Sequence, residues 1–521
     1  MMKSVALHNL GCKVNSYELD VIEQKLKEKG FSIVPFDEKA DIYIVNTCSV
    51  TNIADRKSRQ MLHQAKKRNP RAVVVAVGCY VQTKKEKACA DDAIDLLIGN
   101  NRKKDTAEIL EEYLETLETA GSSGEAGQAD RGDRIAGEEQ TDGSGRKDEA
   151  AQADRGGRIA GAERTGGSDL ERRPDKTLGG RSVVDIGSET AYEEMQLTRT
   201  ADHTRACIKI QDGCNQFCSY CIIPYARGRV RSRREEDILR EVRGLASEGF
   251  REIVLTGIHI SSYGLDFEGR KNPGPGEAFP HERLLHLLLE LDKVEKIERI
   301  RLGSLEPRII TPEFVKGLQK VRKLCHHFHL SLQSGCDETL RRMNRRYTTG
   351  EYLKKVEMLR EAFGRPAITT DVIVGFPGES EAEFETTKQF LDKVNFYEMH
   401  VFQYSRREGT VAAERKDQVP EEIKKRRSEI LLALAKNKSR EFRESYIGER
   451  AEVLFEEGRE IQGISCQIGY TGEYIRVAKK TKEDLAGKIC AGRLTGFVKD
   501  GPVPGGKLSD HGAQENLLWF E

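Results

Sequence analysis

The feature that most constrains this chain is a group of three cysteines, Cys214, Cys218 and Cys221, which directly follows an alternating strand predicted over residues 205–210. Spacings of three and two residues allow the thiolates to converge on one metal centre. Zinc sites made only of cysteine favour four ligands, whereas a cubane iron–sulfur cluster held by three thiolates keeps one iron open. The spacing favours an open iron–sulfur cluster, with a structural zinc loop or unpaired core cysteines as the alternatives.

The first hundred residues alternate between strand and helix patterns. Apolar runs predict strands at 4–7, 41–46, 72–77 and 94–98, and amphipathic segments predict helices at 16–29, 52–68 and 103–117. This order predicts a parallel sheet. Cys12, Cys48 and Cys79 each come just after a predicted strand. Because ligands bind at the carboxyl ends of strands in open α/β sheets, we expect these three thiols to face one site.

A second α/β pattern begins near residue 205. Strands are predicted at 205–210, 252–256, 297–302, 327–332, 367–374 and 396–402, with helices at 234–248, 281–292, 312–322, 350–362 and 380–393. Six strands with crossover helices predict a partial (βα)6 barrel whose function lies at the carboxyl ends of the strands. Polar residues and glycines follow these strands and are candidate ligand contacts, or ordinary turn residues: Gly257, Ser304, Glu306, Ser331, Gln333, Gly375 and Gly378.

Composition divides the chain into five parts. The fold class expected is α/β, with an N-terminal parallel sheet domain at 1–117, the barrel at 201–435, and a small antiparallel β-barrel at 440–503. Residues 118–200 are rich in Gly, Ser, Ala, Glu and Arg and lose apolar periodicity, so we expect a disordered insertion or linker there. Residues 504–521 are expected to form a polar tail.

Charge and cysteine content limit the classes of protein. Lys and Arg together number 85, as do Asp and Glu, so any nucleic-acid surface must be local. Twelve cysteines in a chain of this length do not require a disulfide framework, and the first residues lack the pattern of a secretion signal. We therefore expect a cytoplasmic protein without a membrane span.

The cysteine loop resembles that of the radical S-adenosylmethionine superfamily, including an aromatic residue, Tyr220, before the last cysteine. The resemblance implies that Cys214, Cys218 and Cys221 bind a [4Fe-4S] cluster whose open iron holds S-adenosylmethionine. Electron transfer would then cleave S-adenosylmethionine to methionine and a 5'-deoxyadenosyl radical. Tyr220 and the polar residues and glycines that follow the strands would hold the rest of that cofactor.

Over nearly the whole chain outside 118–200, the sequence resembles the methylthiotransferase family. The motifs that carry the resemblance are Leu10-Gly-Cys-Lys-Val-Asn15, Asn46-Thr-Cys-Ser-Val-Thr51 and Gly78-Cys-Tyr80, together with a C-terminal stretch similar to the TRAM domain of RNA-modifying enzymes. The family implies a second [4Fe-4S] cluster on Cys12, Cys48 and Cys79. It also implies two S-adenosylmethionine molecules per turnover, one as methyl donor and one as radical source.

The arginine-rich stretch after the cysteine loop looks most like the branch that modifies threonylcarbamoyladenosine 37 of tRNA. Arg227, Arg229, Arg231 and Arg233 could contact phosphates of an anticodon stem-loop or a substrate carboxylate, or could be neutralised in surface ion pairs. Alternatives are methylthiolation of isopentenyladenosine 37 or of a ribosomal-protein aspartate, and an RNA-binding protein with structural clusters. The expected partners are tRNA and a low-potential electron donor, and we expect a monomer.

Two further groups of residues do not indicate a site by their spacing. The stretch Cys325-His326-His327-Phe-His329 invites a metal interpretation, but strand alternation sends neighbouring side chains to opposite faces, which favours a structural or substrate-lining role. Cys89, Cys207, Cys336, Cys466 and Cys490 lack metal-ligand spacing and are expected to be buried thiols.

Overall fold

The structure is a computed structural model of the 521-residue chain. It describes residues 3–125, 175–198, 204–270, 272–498 and 516–521. Among these residues, no helix has the length and hydropathy needed to cross a membrane.

The N-terminal domain is a five-stranded parallel sheet in the order β2-β1-β3-β4-β5. Its strands are β1 (Ser4–Asn9), β2 (Ser32–Val34), β3 (Ile42–Thr47), β4 (Val73–Gly78) and β5 (Leu96–Ile98). Its helices are α1 (Lys13–Glu28), α2 (Asn52–Arg68), α3 (Cys79–Thr83), α4 (Lys85–Cys89) and α5 (Thr106–Glu125). The central strand β3 is buried along its whole length, as expected for a parallel sheet covered on both faces. The parallel sheet was predicted, but the three-residue strand β2 was missed.

The end of the predicted linker is ordered, which corrects the expectation of disorder for that part of 118–200. The first part of segment 175–198 runs along strand β5, where Leu97 N donates to Lys176 O at 2.8 Å. Met195 and Leu197 are each only 1 % exposed and contribute to the core under the sheet. This polar segment is ordered by a few apolar side chains and by backbone hydrogen bonds to an open strand edge. The average composition of a sequence window reveals neither of these contributions. Residues 126–174 of the predicted linker lie outside the described residues.

The central domain has six parallel strands in two hydrogen-bonded groups, β6-β8-β9 and β10-β11-β12, and its α/β class is as predicted. Two isolated parallel bridges connect the two groups, one between Ile300 and Leu324 and one between Leu305 and Leu330. A short strand β7 pairs antiparallel with β6. The strands are β6 (Arg205–Asp212), β7 (Arg231–Ser232), β8 (Glu252–Gly257), β9 (Arg299–Leu302), β10 (His327–His329), β11 (Ala367–Val374) and β12 (Glu398–Gln403).

Helices cover the outside of these strands and share one large apolar core with them. Reciprocal capping boxes fix the first turns of two of these helices. Thr348 pairs with Glu351 at the start of helix Thr349–Phe363, and Ser380 pairs with Glu383 at the start of helix Glu381–Val394. The helices are α6 (Ile223–Arg227), α7 (Glu235–Ser247), α8 (Glu282–Asp292), α9 (Pro312–Leu318), α10 (Asp337–Arg342), α11 (Thr349–Phe363), α12 (Glu381–Val394), α13 (Val411–Glu414) and α14 (Glu421–Glu444).

The C-terminal domain is a closed five-stranded barrel in the order β13-β14-β15-β17-β16. Its strands are β13 (Arg450–Ile461), β14 (Ile464–Thr471), β15 (Arg476–Lys480), β16 (Ile489–Phe497) and β17 (Leu518–Phe520). Most pairs are antiparallel, as predicted, but β15 and β17 are parallel. Strand β17 falls within the predicted polar tail and corrects that expectation, because Leu518 and Phe520 are buried in the barrel core.

Candidate active site

The cysteine loop after β6 has a tightly constrained backbone. Gly213 has φ +70°, and a Cβ atom there would lie 1.8 Å from the carbonyl oxygen of Arg229. Cys214 N donates to Gly228 O at 3.1 Å, and Cys221 N donates to Cys218 O at 2.9 Å. The backbone of Gly228 and Arg229 therefore packs against the start of the loop and constrains its conformation.

Burial and mutual proximity disfavour the charged thiolate form of these cysteines. Burial raises the pKa of Cys214 to about 12, and the neighbouring Cys218 sulfur adds to this effect. The pKa of Cys221 is also raised, first by burial and then by Cys218 and Cys214. Arg345 Nη1 donates to Cys218 Sγ at 3.5 Å and supplies compensating positive charge. A cationic iron–sulfur centre would stabilise the thiolates further, so this donor set fits such a cluster.

A cavity of about 330 Å³ lies beside the cysteine loop. Five residues predicted to bind cofactor line its wall: Tyr220, Ser304, Glu306, Ser331 and Gln333. Three predicted glycines lie outside that wall. Gly257 immediately precedes the wall residue Ile258, while Gly375 and Gly378 have positive φ angles and lie against Lys424 and Asp417. These glycines shape turns behind the cavity.

Sequence reasoning missed several wall residues, among them His259, Gln216 and Arg345. Burial lowers the pKa of His259 to about 3, so its ring is neutral at physiological pH. Its Nδ1 lies 2.6 Å from Ser262 Oγ, whereas its Nε2 and the Nε2 of Gln216 are buried without hydrogen-bond partners. Unpartnered buried polar atoms beside a cavity fit a polar ligand such as S-adenosylmethionine. Their loops carry no periodic pattern by which the sequence could have revealed them.

The N-terminal cysteines converge as predicted from their positions after strands. Cys12 precedes α1, Cys48 follows β3, and Cys79 begins α3. A Cβ atom on Gly11, whose φ is +113°, would lie 3.0 Å from Cys48 Sγ, so a glycine is required beside this sulfur. Burial, followed by the neighbouring Cys79 and Cys12 sulfurs, raises the pKa of Cys48 to about 11. This set of soft, mutually repelling sulfur donors also fits an iron–sulfur cluster.

Cavity-lining residues and one amide link the N-terminal triad to the region of the cysteine loop. Val50 and Thr51, just beyond Cys48, line the same cavity as the loop cysteines. Asn100 joins the two domains directly, because its Nδ2 donates to Cys79 Sγ at 3.5 Å and to Ala226 O at 2.7 Å. Residues next to the N-terminal triad therefore reach both the cavity and the backbone that follows the cysteine loop.

Three of the four arginines predicted to contact substrate are buried, which corrects that expectation. Arg227 Nη1 lies 2.8 Å from Glu18 Oε1 and 3.1 Å from Asp212 Oδ1. Arg231 lies 3.9 Å from Asp212, and Arg233 pairs with the buried Glu241. Glu18 lies in helix α1 of the N-terminal domain, so Arg227 joins the two α/β domains. Asp212 and Glu241 lie in β6 and α7, so the other two arginines neutralise carboxylates within the central domain.

Arg229 is the exposed member of the four. Its guanidinium lies 4.6 Å above the ring of Phe217, and Phe217 contacts the half-exposed Tyr225 edge-on at 6.0 Å. Arg229, Phe217 and Tyr225 form a cationic aromatic surface beside the cysteine loop, the type of surface that stacks on nucleic-acid bases.

Two family profiles match this chain and define its class. The profile of the Radical SAM superfamily matches residues 208–391, which include the cysteine loop and most of the central strands. The profile of the Uncharacterized protein family UPF0004 matches residues 4–99, which include the other triad. The fold and the sites therefore define a radical S-adenosylmethionine enzyme with an added N-terminal α/β domain.

Curated relatives specify the family. The chain is 36 % identical over 490 residues to the threonylcarbamoyladenosine tRNA methylthiotransferase MtaB of Bacillus subtilis, covering 94 % of this chain and 93 % of the relative. It is 37 % identical to the protein of the same name from Aquifex aeolicus, over 87 % and 93 % of the two chains. A tRNA-2-methylthio-N(6)-dimethylallyladenosine synthase of Carboxydothermus hydrogenoformans is 32 % identical, over 95 % and 97 %.

This chain belongs to the radical S-adenosylmethionine methylthiotransferase family. It is a transferase, and its cofactors are two [4Fe-4S] clusters and S-adenosylmethionine.

Proposed function

We propose that this protein adds a methylthio group to C2 of N6-threonylcarbamoyladenosine at position 37 of tRNA. The observation that carries the proposal is near full-length identity of 36 % to a relative named for this nucleoside. The cavity beside the cysteine loop supports it, because its wall includes Val50 and Thr51 just beyond Cys48. Sulfur insertion into an unreactive C–H bond requires a radical source and a sulfur carrier close together.

Each triad has a separate role in this proposal. Cys214, Cys218 and Cys221 hold the cluster that, with S-adenosylmethionine bound, supplies the 5'-deoxyadenosyl radical. Arg345 keeps Cys218 in position through its hydrogen bond to the sulfur. Cys12, Cys48 and Cys79 would hold the second cluster, which would carry the sulfur to be methylated, with a second S-adenosylmethionine as the methyl donor.

The wall of the cavity orients the cofactor. Ser304, Ser331 and Gln333 offer hydroxyl and amide groups to the amino, carboxylate and ribose groups of S-adenosylmethionine. Glu306 is held rigid, because its carboxylate accepts from both the backbone N and the side chain of Arg308 at 2.8 Å. Tyr220 and its contact with Phe376 exclude water from one side.

Recognition of tRNA is assigned to two surfaces. The first is the stacked Arg229, Phe217 and Tyr225 beside the cysteine loop. The second is the C-terminal barrel, a small β-barrel of the TRAM type that carries basic side chains. We place the reaction in the cytoplasm, with the protein acting as a monomer supplied by a low-potential electron donor. All twelve cysteines are free, as a reducing compartment requires.

The experiment compares modified nucleosides in tRNA from cells that lack this gene with tRNA from cells given it back. We expect 2-methylthio-threonylcarbamoyladenosine to disappear on deletion and to return with the intact gene. Cys214→Ala and Cys48→Ala should not restore it, whereas the matched control Cys89→Ala should, because Cys89 lies in α4 away from both triads.

The same measurement separates the alternatives. Loss of 2-methylthio-isopentenyladenosine would indicate the activity named for the Carboxydothermus relative. An unchanged tRNA profile would refute the proposal and direct attention to added methylthio mass on ribosomal proteins.

A further inference from the structure

We propose that His329, Asp371 and His400 form a binding site for one divalent transition-metal ion, distinct from the two cysteine triads. Each residue offers one ligand atom, and the three atoms lie within 4.8 Å of one another. His329 Nε2 lies 3.3 Å from Asp371 Oδ2, and the rings of His329 and His400 stack with centroids 5.9 Å apart. The proposal does not depend on the identity of the tRNA substrate.

Strand register explains why these side chains meet. Asp371 on β11 lies directly opposite His400 on β12, and His329 on β10 lies opposite Thr369, two residues before Asp371 on the same face. Within the stretch 325–329, strand alternation sends the neighbours of His329 to the other face of the sheet. The other ligands come from the two following strands, which are distant in sequence.

The hydrogen bonding around His329 prepares its free nitrogen for a ligand. Its Nδ1 lies 3.0 Å from Thr369 Oγ1, so this hydroxyl fixes the orientation of the ring. Its Nε2 is buried and makes no hydrogen bond of normal geometry, although the Asp371 carboxylate lies nearby. Histidines that bind metals typically use their second nitrogen in this way.

The chemistry of the three donors selects the class of ion. Two imidazoles and one carboxylate bind Zn²⁺ in hydrolytic enzymes and Fe²⁺ in non-haem oxygenases, whereas Mg²⁺ and Ca²⁺ prefer oxygen donors alone. A simple ion pair between His329 and Asp371 would not require the second imidazole. Its ligand nitrogen lies within 4.8 Å of the other two ligand atoms, so one cation can be shared by all three groups.

The site is accessible and leaves coordination positions open. Asp371 lines the 330 Å³ cavity, and His400 is exposed to solvent. With three protein ligands, a bound ion keeps at least one position for water or for an oxygen of a substrate that enters the cavity.

The test measures zinc retention by the holoenzyme. The protein is reconstituted with both clusters, incubated with Zn²⁺, desalted, and analysed for zinc and iron by mass spectrometry. We expect about one zinc per chain at unchanged iron content. Asp371→Asn and His400→Ala should lower zinc affinity at least about tenfold. His326→Ala is the matched control, because His326 is exposed and packs against Phe363 instead.

X-ray absorption at the zinc edge identifies the ligands. The proposal expects nitrogen and oxygen neighbours at roughly 2.0–2.2 Å, whereas capture by a vacant cysteine triad would give sulfur at about 2.3 Å. Failure of the intact holoenzyme to retain zinc, sulfur ligation, or equal retention by Asp371→Asn and His400→Ala would each overturn the proposal. Iron content and cluster absorbance show whether a variant is folded.

Discussion

The arginines after the cysteine loop differ in role although they are close in sequence. Arg227 is 1 % exposed and neutralises Glu18 and Asp212, and the pKa of Glu18 is held well below its usual value by Arg227, Lys103 and Lys209 against the opposing effect of burial. Arg229 instead stacks on Phe217 at the surface. An arginine of this stretch is structural when its guanidinium is buried against carboxylates. Its place in the sequence does not decide its role.

Replacement of Arg227 by Met should therefore destabilise the protein. Buried carboxylates left without a partner cost about 3 to 5 kcal/mol, and the nearby Lys103 and Lys209 keep the loss in unfolding free energy at about 3 kcal/mol. Urea unfolding followed by circular dichroism measures it. Arg229→Met is the matched control and should change stability by less than about 0.5 kcal/mol while weakening tRNA binding. Equal stabilities would contradict the structural role of Arg227.

At the scale of elements, the cysteine loop depends on a backbone that only glycine allows. Gly213→Ala should prevent the loop from closing, because the added methyl would overlap the Arg229 carbonyl and the φ of +70° is strained for alanine. We expect reconstituted Gly213→Ala to hold at most about half the iron of the intact protein, with the remaining iron in the N-terminal site.

The control for this prediction is Gly244→Ala. Gly244 lies within α7, and no atom lies within 4 Å of a Cβ built there. Alanine should stabilise that helix by up to about 1 kcal/mol and leave the iron content unchanged. If Gly213→Ala binds as much iron as Gly244→Ala, the loop does not require this backbone conformation.

The closing strand of the C-terminal barrel provides its own reporter. Trp519 is the single tryptophan of the chain and lies in β17 beside Phe520, which is 2 % exposed and contacts Phe455 at 5.7 Å. Phe520→Ala should lower the stability of the barrel by about 3 to 5 kcal/mol, seen as an earlier transition in tryptophan fluorescence. Phe267→Ala, at a 43 % exposed position, should not shift it.

At the scale of the whole molecule, the loop after β12 joins the central domain to the region of Cys48. Arg407 is 3 % exposed and donates to Ser49, Asn52 and Asp55 of the N-terminal domain at 2.7 to 3.2 Å. These contacts fix the position of the segment after Cys48 relative to the central domain. Loss of these contacts should uncouple S-adenosylmethionine cleavage from methylthio transfer without removing either cluster.

We expect Arg407→Met to cleave S-adenosylmethionine still but to form less methylthiolated product. The ratio of 5'-deoxyadenosine to product should rise at least about tenfold, measured by mass spectrometry in one reaction. Arg406→Met is the control, because Arg406 is exposed and donates to Ala413 within its own domain. An unchanged ratio would show that this contact does not set the alignment.

The sequence predicted what local pattern determines. Strand periodicity located the ends of β1, β3 and β4, and therefore placed Cys12, Cys48 and Cys79 at one edge of the sheet. It could not predict the partners of Arg227, because Glu18 is 209 residues away in the chain. For the same reason the meeting of His329 with His400 became apparent only from strand register.

Short ordered segments in polar surroundings were also missed, for a different reason. Met195 and Leu197 stabilise residues 175–198, and Leu518 and Phe520 stabilise β17, by burying very few side chains. A composition window averages these over their polar neighbours. Only the presence of an unpaired strand edge or an unfilled core elsewhere in the molecule makes such a small apolar contribution sufficient to order a segment.

The contact of Asn100 with both Cys79 and the α6 backbone has a consequence for how the protein matures. A cluster bound to Cys79 would hold the Asn100 amide in place. Through its bond to Ala226 O, that amide restricts the backbone that follows the cysteine loop. Free energies of binding linked in this way are reciprocal, so filling either site first makes the second easier to fill by the same factor. Iron–sulfur assembly on this chain is therefore expected to be cooperative, with half-loaded molecules scarcer than independent loading would produce.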